Sequence, residues 1–296
     1  RYAPPLLSGA GGVLLLFGLH TPARLLITLG SLGLVVMFAF MVRRYRAAFM
    51  MVMAAGAICW LIGNIFWLSG QPVYQVVHWW IAFLTLTIIG ERLELAHITR
   101  ISPQAQRLFL IASAVFLAGV ALTVADLGAG IRLAGVGEVA LALWLLRYDI
   151  ARHTIRGSGL PRFIAACLLA GYVWLGIGGV IGLWQGALYA GVYYEALLHA
   201  LLLGFVFSMI FGHAPIIIPA LTNQTIRFSA VLYAPLVLLH GSLVLREASA
   251  LLNWTVGRQW GGLLNVTALL LFFGLMARLV SFQRAAPDQF SPSQYP

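Results

Sequence analysis

The chain has 296 residues, 61% of them hydrophobic and 9% charged, with a mean hydropathy of +0.95. A soluble domain carries about 25% charged residues, so a fold that faces water on all sides is excluded and the membrane class is expected. The net charge of +10 comes from 18 arginines and no lysine, but these lie in short segments between apolar runs, which makes them topology signals rather than a nucleic-acid surface.

At about 20 apolar residues per crossing, the sequence predicts ten spans in an all-α, polytopic transmembrane bundle. The first, about Pro5 to Leu19, is short and Gly-rich. The second and third run about Arg24 to Val42 and Ala47 to Leu68. The fourth, about Val73 to Ala96, closes on GERLELAHITR. The fifth covers about Leu108 to Val124, and the sixth, about Ile131 to Leu146, holds Glu138. After a polar loop, RYDIARHTIRGSGLPR, come spans of about Phe163 to Trp184 and Tyr189 to Gly212. The last two are about Phe228 to Leu245 and Gly261 to Phe282. Residues 1–284 are expected to form one membrane domain, followed by a loose polar tail at 285–296. Arg1 stands where an initiator Met would be, so residues are expected upstream. Cys59 and Cys167 lie in apolar runs and read as small core residues.

The arginines segregate under this count. Arg43, Arg44, Arg46, Arg92, Arg100, Arg107, Arg147, Arg152, Arg156, Arg162, Arg227 and Arg284 all fall on one side. The positive-inside rule then predicts a bacterial inner-membrane protein with both termini in the cytoplasm. Phosphate loops, CxxC pairs and CxxCH haem attachments are absent from the sequence, so phosphate-binding and thiol-redox chemistry have no support.

Ionisable side chains at membrane depth are costly, and each is a functional-site hypothesis. His78, His199 and His240 fall within spans, in the outer half to the middle of the bilayer. Imidazole ligates haem iron and copper, and a bundle can present it from facing helices. His78 and His240 match best in depth and form the first-choice haem pair; His199 is the alternative partner. His97 and His213 fall near the cytoplasmic end, and His153 and His20 read as loop and turn residues. Glu138 and Glu195 lie deep enough to serve as proton relays, and Glu195 is expected to be buried beside His199, one helical turn away. Glu91 and Glu94, with Arg92 between them, read as an interfacial ion-pair cluster or a proton entry point. Pro215 and Pro219 are expected to end the helix that carries His213.

The segment HALLLGFVFSMIFGH, from His199 to His213, resembles the NnrS-type membrane proteins, relatives of the haem–copper oxidase large subunit. IIGERLELAHITR, from Ile88, is similar to a second segment of that family. The resemblance implies an all-helical fold, haem b with copper also in play, a role in respiratory electron transfer or nitric-oxide metabolism, and His199 and His213 as metal-site residues. Expected partners are the lipid bilayer and membrane redox proteins, with no nucleic acid. Two other readings stay open: a cofactor-free anchoring subunit of an electron-transfer complex, and a secondary transporter.

Overall fold

The computed structural model describes residues 2–96, 101–222 and 228–284. His97 and the expected tail lie outside them. The described chain is all-α. Its elements are α1 (Ala3–Leu16), α2 (His20–Arg44), α3 (Ala48–Leu68), α4 (Val73–Ala96), α5 (Pro103–Leu122), α6 (Leu127–Tyr148), the single turn α7 (Ala151–Thr154) and α8 (Gly159–Gln185). They continue with α9 (Val192–Leu198), a π-helix (His199–Val206), α10 (Phe207–Thr222), a 3-10 turn (Ala230–Leu232), α11 (Tyr233–Leu251) and α12 (Thr255–Arg284).

Among the described residues nine helical runs, not ten, are long and apolar enough to cross a membrane. The difference is α1. Its 14 residues rise about 21 Å, short of a hydrocarbon core of about 30 Å. Instead α1 lies against α2 through small residues: a Cβ added at Gly30 would meet Ser8 Oγ at 2.4 Å, and one at Gly11 would meet Ala23 O at 2.9 Å. An odd number of full crossings puts the ends of the spanning region on opposite faces, so the expected shared side of the termini depends on α1 alone.

Local chemistry sets the turns. Ser102 and Asp126 accept the backbone N–H groups of Ala105 and Ala129, at 3.1 and 2.9 Å, capping α5 and α6. Gly70, with φ of +92°, makes the α3–α4 turn in a conformation that side chains resist. Glycines also bring backbones together. On α5 and α6, a Cβ at Gly119 would sit 2.1 Å from Ala134 N, and one at Gly137 would sit 2.5 Å from Phe116 N. Small residues of this kind are the usual means of close helix approach in lipid.

The same close approaches fix how α8 runs beside the Val192–Thr222 span. Gly178 meets Leu201, Trp174 meets Gly204, Gly171 meets Ser208 and Cys167 meets Gly212. As one number falls the other rises, so the two are antiparallel neighbours along most of their length. Cys59 and Cys167 are buried free thiols.

Pro215 and Pro219 do not end their helix. Both lie inside α10, which continues to Thr222. In lipid a broken helix would expose unsatisfied backbone groups, so a Pro inside a packed span is tolerated. The irregularity comes earlier, as eight π-helical residues opening at His199. Such wide turns are often found at functional sites.

Candidate functional site

Three groups of polar side chains lie along the Val192–Thr222 span. At the level of His213, α4, α8, α10 and the start of α7 meet. Arg92 is 3% exposed and its Nη2 donates to Glu91 Oε1 at 2.7 Å and to His213 Nε2 at 2.9 Å. His213 Nδ1 donates to Met209 O at 2.6 Å. One ring nitrogen donates to a carbonyl and the other accepts from a guanidinium, an arrangement that suits the Nδ1–H tautomer. Glu91 Oε1 waits 3.3 Å from the same Nε2, ready to pair if that nitrogen gains a proton.

Beneath this group Asp149 is fully buried. Its Oδ1 accepts from Ala151 N at 2.7 Å, while Oδ2 has no hydrogen-bond partner. The Tyr172 hydroxyl faces it without reaching hydrogen-bond geometry. Burial raises the Asp149 carboxyl above its usual range; the Ala151 amide, the Arg92 charge and the Tyr172 hydroxyl offset part of the rise. Glu91, Arg92, Thr154 and His213 share the lining of a cavity of about 320 Å³ with apolar side chains of α8 and α10.

His240 holds the middle level. Its Nδ1 accepts from the Trp174 indole at 2.9 Å, and its Nε2 lies 3.3 Å from Ser208 Oγ. Ser208 Oγ in turn donates to Gly204 O at 2.5 Å. The only proton arrangement that serves all three is Nε2–H on His240, so both of its nitrogens are engaged. His78 behaves differently: it is 7% exposed on α4, and its Nε2 is buried with no partner.

The third level corrects one expectation. Glu195 is not buried beside His199. Its side chain is 43% exposed, and its Oε2 accepts from Arg258 Nη2 at 2.9 Å with Arg246 Nη2 3.8 Å away. Two guanidiniums at the start of α12 and the end of α11 outcompete an imidazole for the carboxylate. The acid facing His199 is Glu247, whose Oε1 lies 3.4 Å from His199 Nδ1. His199 and His213 stand 14 residues apart on one span, on the order of 20 Å, so they belong to different sites. Glu138 is buried at the α6–α8 contact, next to Gly179. His153 and His20 are exposed. Among the described residues no group of three or more His, Cys, Asp or Glu is gathered for a metal ion.

Sequence reading gave no site role to Asp149, Tyr172, Ser208 or Glu247. Asp149 and Glu247 carried a usable signal, since the chain has only eight acids and each one near a span is worth testing for a partner.

A family model described as a domain of unknown function, DUF8744, matches residues 1–281. The chain belongs to this family. No curated protein and no solved structure matches it. The DUF8744 match spans nearly the whole membrane region and gives no support to the NnrS-type resemblance of the His199–His213 segment. What holds for this DUF8744 chain is therefore an integral membrane protein with about nine spans.

Proposed function

We propose that the protein moves protons across the membrane along the Val192–Thr222 span. The observation that carries this reading is the polar column itself: His199 with Glu247, His240 with Ser208 and Trp174, and His213 with Arg92 and Glu91, at three depths beside one helix. Each histidine has a partner that its protonation would change. A proton arriving at His213 Nε2 ends its acceptance from Arg92 and turns it toward Glu91. Asp149 and Tyr172 extend the group around Arg92, and the path needs water to bridge the gaps that remain between levels.

The test is proteoliposomes carrying an internal pH dye and an imposed potassium diffusion potential. Wild-type protein is expected to give acidification well above protein-free vesicles, and His213→Phe and His240→Phe to remove most of it. Wild-type flux equal to that of empty vesicles overturns the reading.

A second reading, a haem b protein of respiratory electron transfer, is favoured by one observation, the buried unpartnered Nε2 of His78. A metal-bound His commonly orients its other nitrogen on a carboxylate, and Glu247 stands in that relation to His199. Both α4 and α11 pack on the π-helix that His199 opens. His78 and His199 are therefore the residues that would hold a haem, rather than His78 and His240, whose nitrogens are both in use. A haem held there would supply one-electron transfer. A reduced-minus-oxidised spectrum of purified protein decides this: a sharp band lost in His78→Ala supports it, and a flat spectrum removes it.

A further inference from the structure

We propose that the cavity between α8, α9 and α11 binds the ring of a membrane quinone or quinol. The cavity measures about 380 Å³, inside the range of about 300–1,000 Å³ usual for small-molecule sites. Its walls are almost wholly apolar and include Trp174, Trp184 and Tyr193, with Glu247 and Gln185 as polar groups. Trp174 is a fixed wall, because its indole N–H is held by His240 at 2.9 Å. Trp184 is 79% exposed and Val180 and Leu251 are open as well, so the cavity is entered sideways, from lipid.

The lining selects among lipid-soluble molecules. An acyl chain would fill the apolar volume but has no use for Glu247, whose Oε1 lies 3.4 Å from His199 Nδ1 without making a hydrogen bond to it. An organic cation would suit Glu247 but would be repelled by Arg246 and Arg258, which crowd Glu195 at the same end of the bundle. A quinol is neutral, flat and hydroxylated at both ends of its ring. One hydroxyl can donate to Glu247 and the other can meet the Gln185 side chain, while the ring lies against indole and the isoprenoid tail leaves along Ile177 and Val180. In the quinone form a carbonyl accepts instead from the Gln185 amide.

This proposal does not depend on proton flux, and its readout is binding alone. Purified protein in detergent is titrated with a short-chain benzoquinone while tryptophan emission is followed, and a photoreactive benzoquinone is cross-linked to wild-type protein and mapped by mass spectrometry. The expected result is saturable quenching in the micromolar range, a midpoint raised at least tenfold by Ala196→Phe, which fills the cavity, and label on α8, α9 or α11. Because Ala196→Phe could fail to fold, the wild-type cross-link stands as an independent arm. Label confined to other helices overturns the proposal, as does quenching that never saturates. Equal competition by an alcohol bearing the same alkyl tail and no ring also overturns it, since the slot would then hold chains rather than rings.

Discussion

Replacing Arg92 by Met removes a buried guanidinium and keeps its bulk. Breaking a buried ion pair by deleting one partner costs about 3–5 kcal/mol, because the other charge is left stranded. Here the stranded charge is only partly buried. Glu91 is 44% exposed on its side chain and regains water, so its share falls toward the roughly 0.2–1 kcal/mol of an exposed pair. His213 keeps its bond to Met209 O and loses one acceptor contact, worth about 1 kcal/mol. Asp149 is fully buried, but its carboxyl is already shifted upward by burial; without Arg92 it takes up a proton and avoids a stranded charge. The expected loss is about 2 kcal/mol, below the usual figure for a buried pair. Denaturant unfolding in detergent micelles, followed by far-UV circular dichroism, measures it for Arg92→Met, Asp149→Asn and the double variant. A loss under about 0.5 kcal/mol would show that the guanidinium is not coupled to its neighbours. A loss above about 4 kcal/mol would show that Asp149 cannot escape its charge.

Asp149→Asn should also flatten the dependence of stability on pH. Because the folded carboxyl is raised above its ordinary 3.8, its contribution is intact below that value and is lost as pH rises through the folded one; unfolding midpoints at a series of pH values would expose a wrong sign. Gly119→Val forces a Cβ to within 2.1 Å of Ala134 N and should cost about 1–3 kcal/mol. Gly9→Ala, with nothing within 4 Å, should stabilise by about 0.5–1 kcal/mol; similar melting shifts for the two would contradict the α5–α6 packing. A double-mutant cycle of His240→Ala and Trp174→Phe should return a coupling of about 0.6 kcal/mol and not above about 1.7, the range found for interhelical hydrogen bonds in lipid.

The all-α class is legible because apolar runs in lipid have few alternatives, and α3 ends at Leu68 where the sequence reading ends it. The miscounted first span shows the limit of hydropathy: Ala3–Leu16 is as apolar as its neighbours and simply too short. Site residues are harder. Arg92 and His213 are 121 positions apart, and nothing local in GERLELAH or FGHAP announces that they touch. Glu195 and His199 illustrate the opposite error, since helical spacing makes them neighbours while Arg258, 63 positions away, takes the carboxylate. Asp149 reads as part of a polar loop because its burial is imposed by α4 and α8, not by its own segment. No sequence period distinguishes the π-helix at His199–Val206 from ordinary helix.

That π-helix has a mechanical meaning. An α-helix turns about 100° per residue, so a residue absorbed into or released from a widened turn swings everything beyond it by about that angle. His199 lies at one end of the widened stretch and His213 beyond the other. Tightening the stretch by one residue would keep His199 on Glu247 and wheel His213 off Arg92, while loosening it again would restore both. The eight residues His199–Val206 thus set the rotational register of the two sites, and deleting or inserting one residue there would turn one site away from its partner while leaving the other in place.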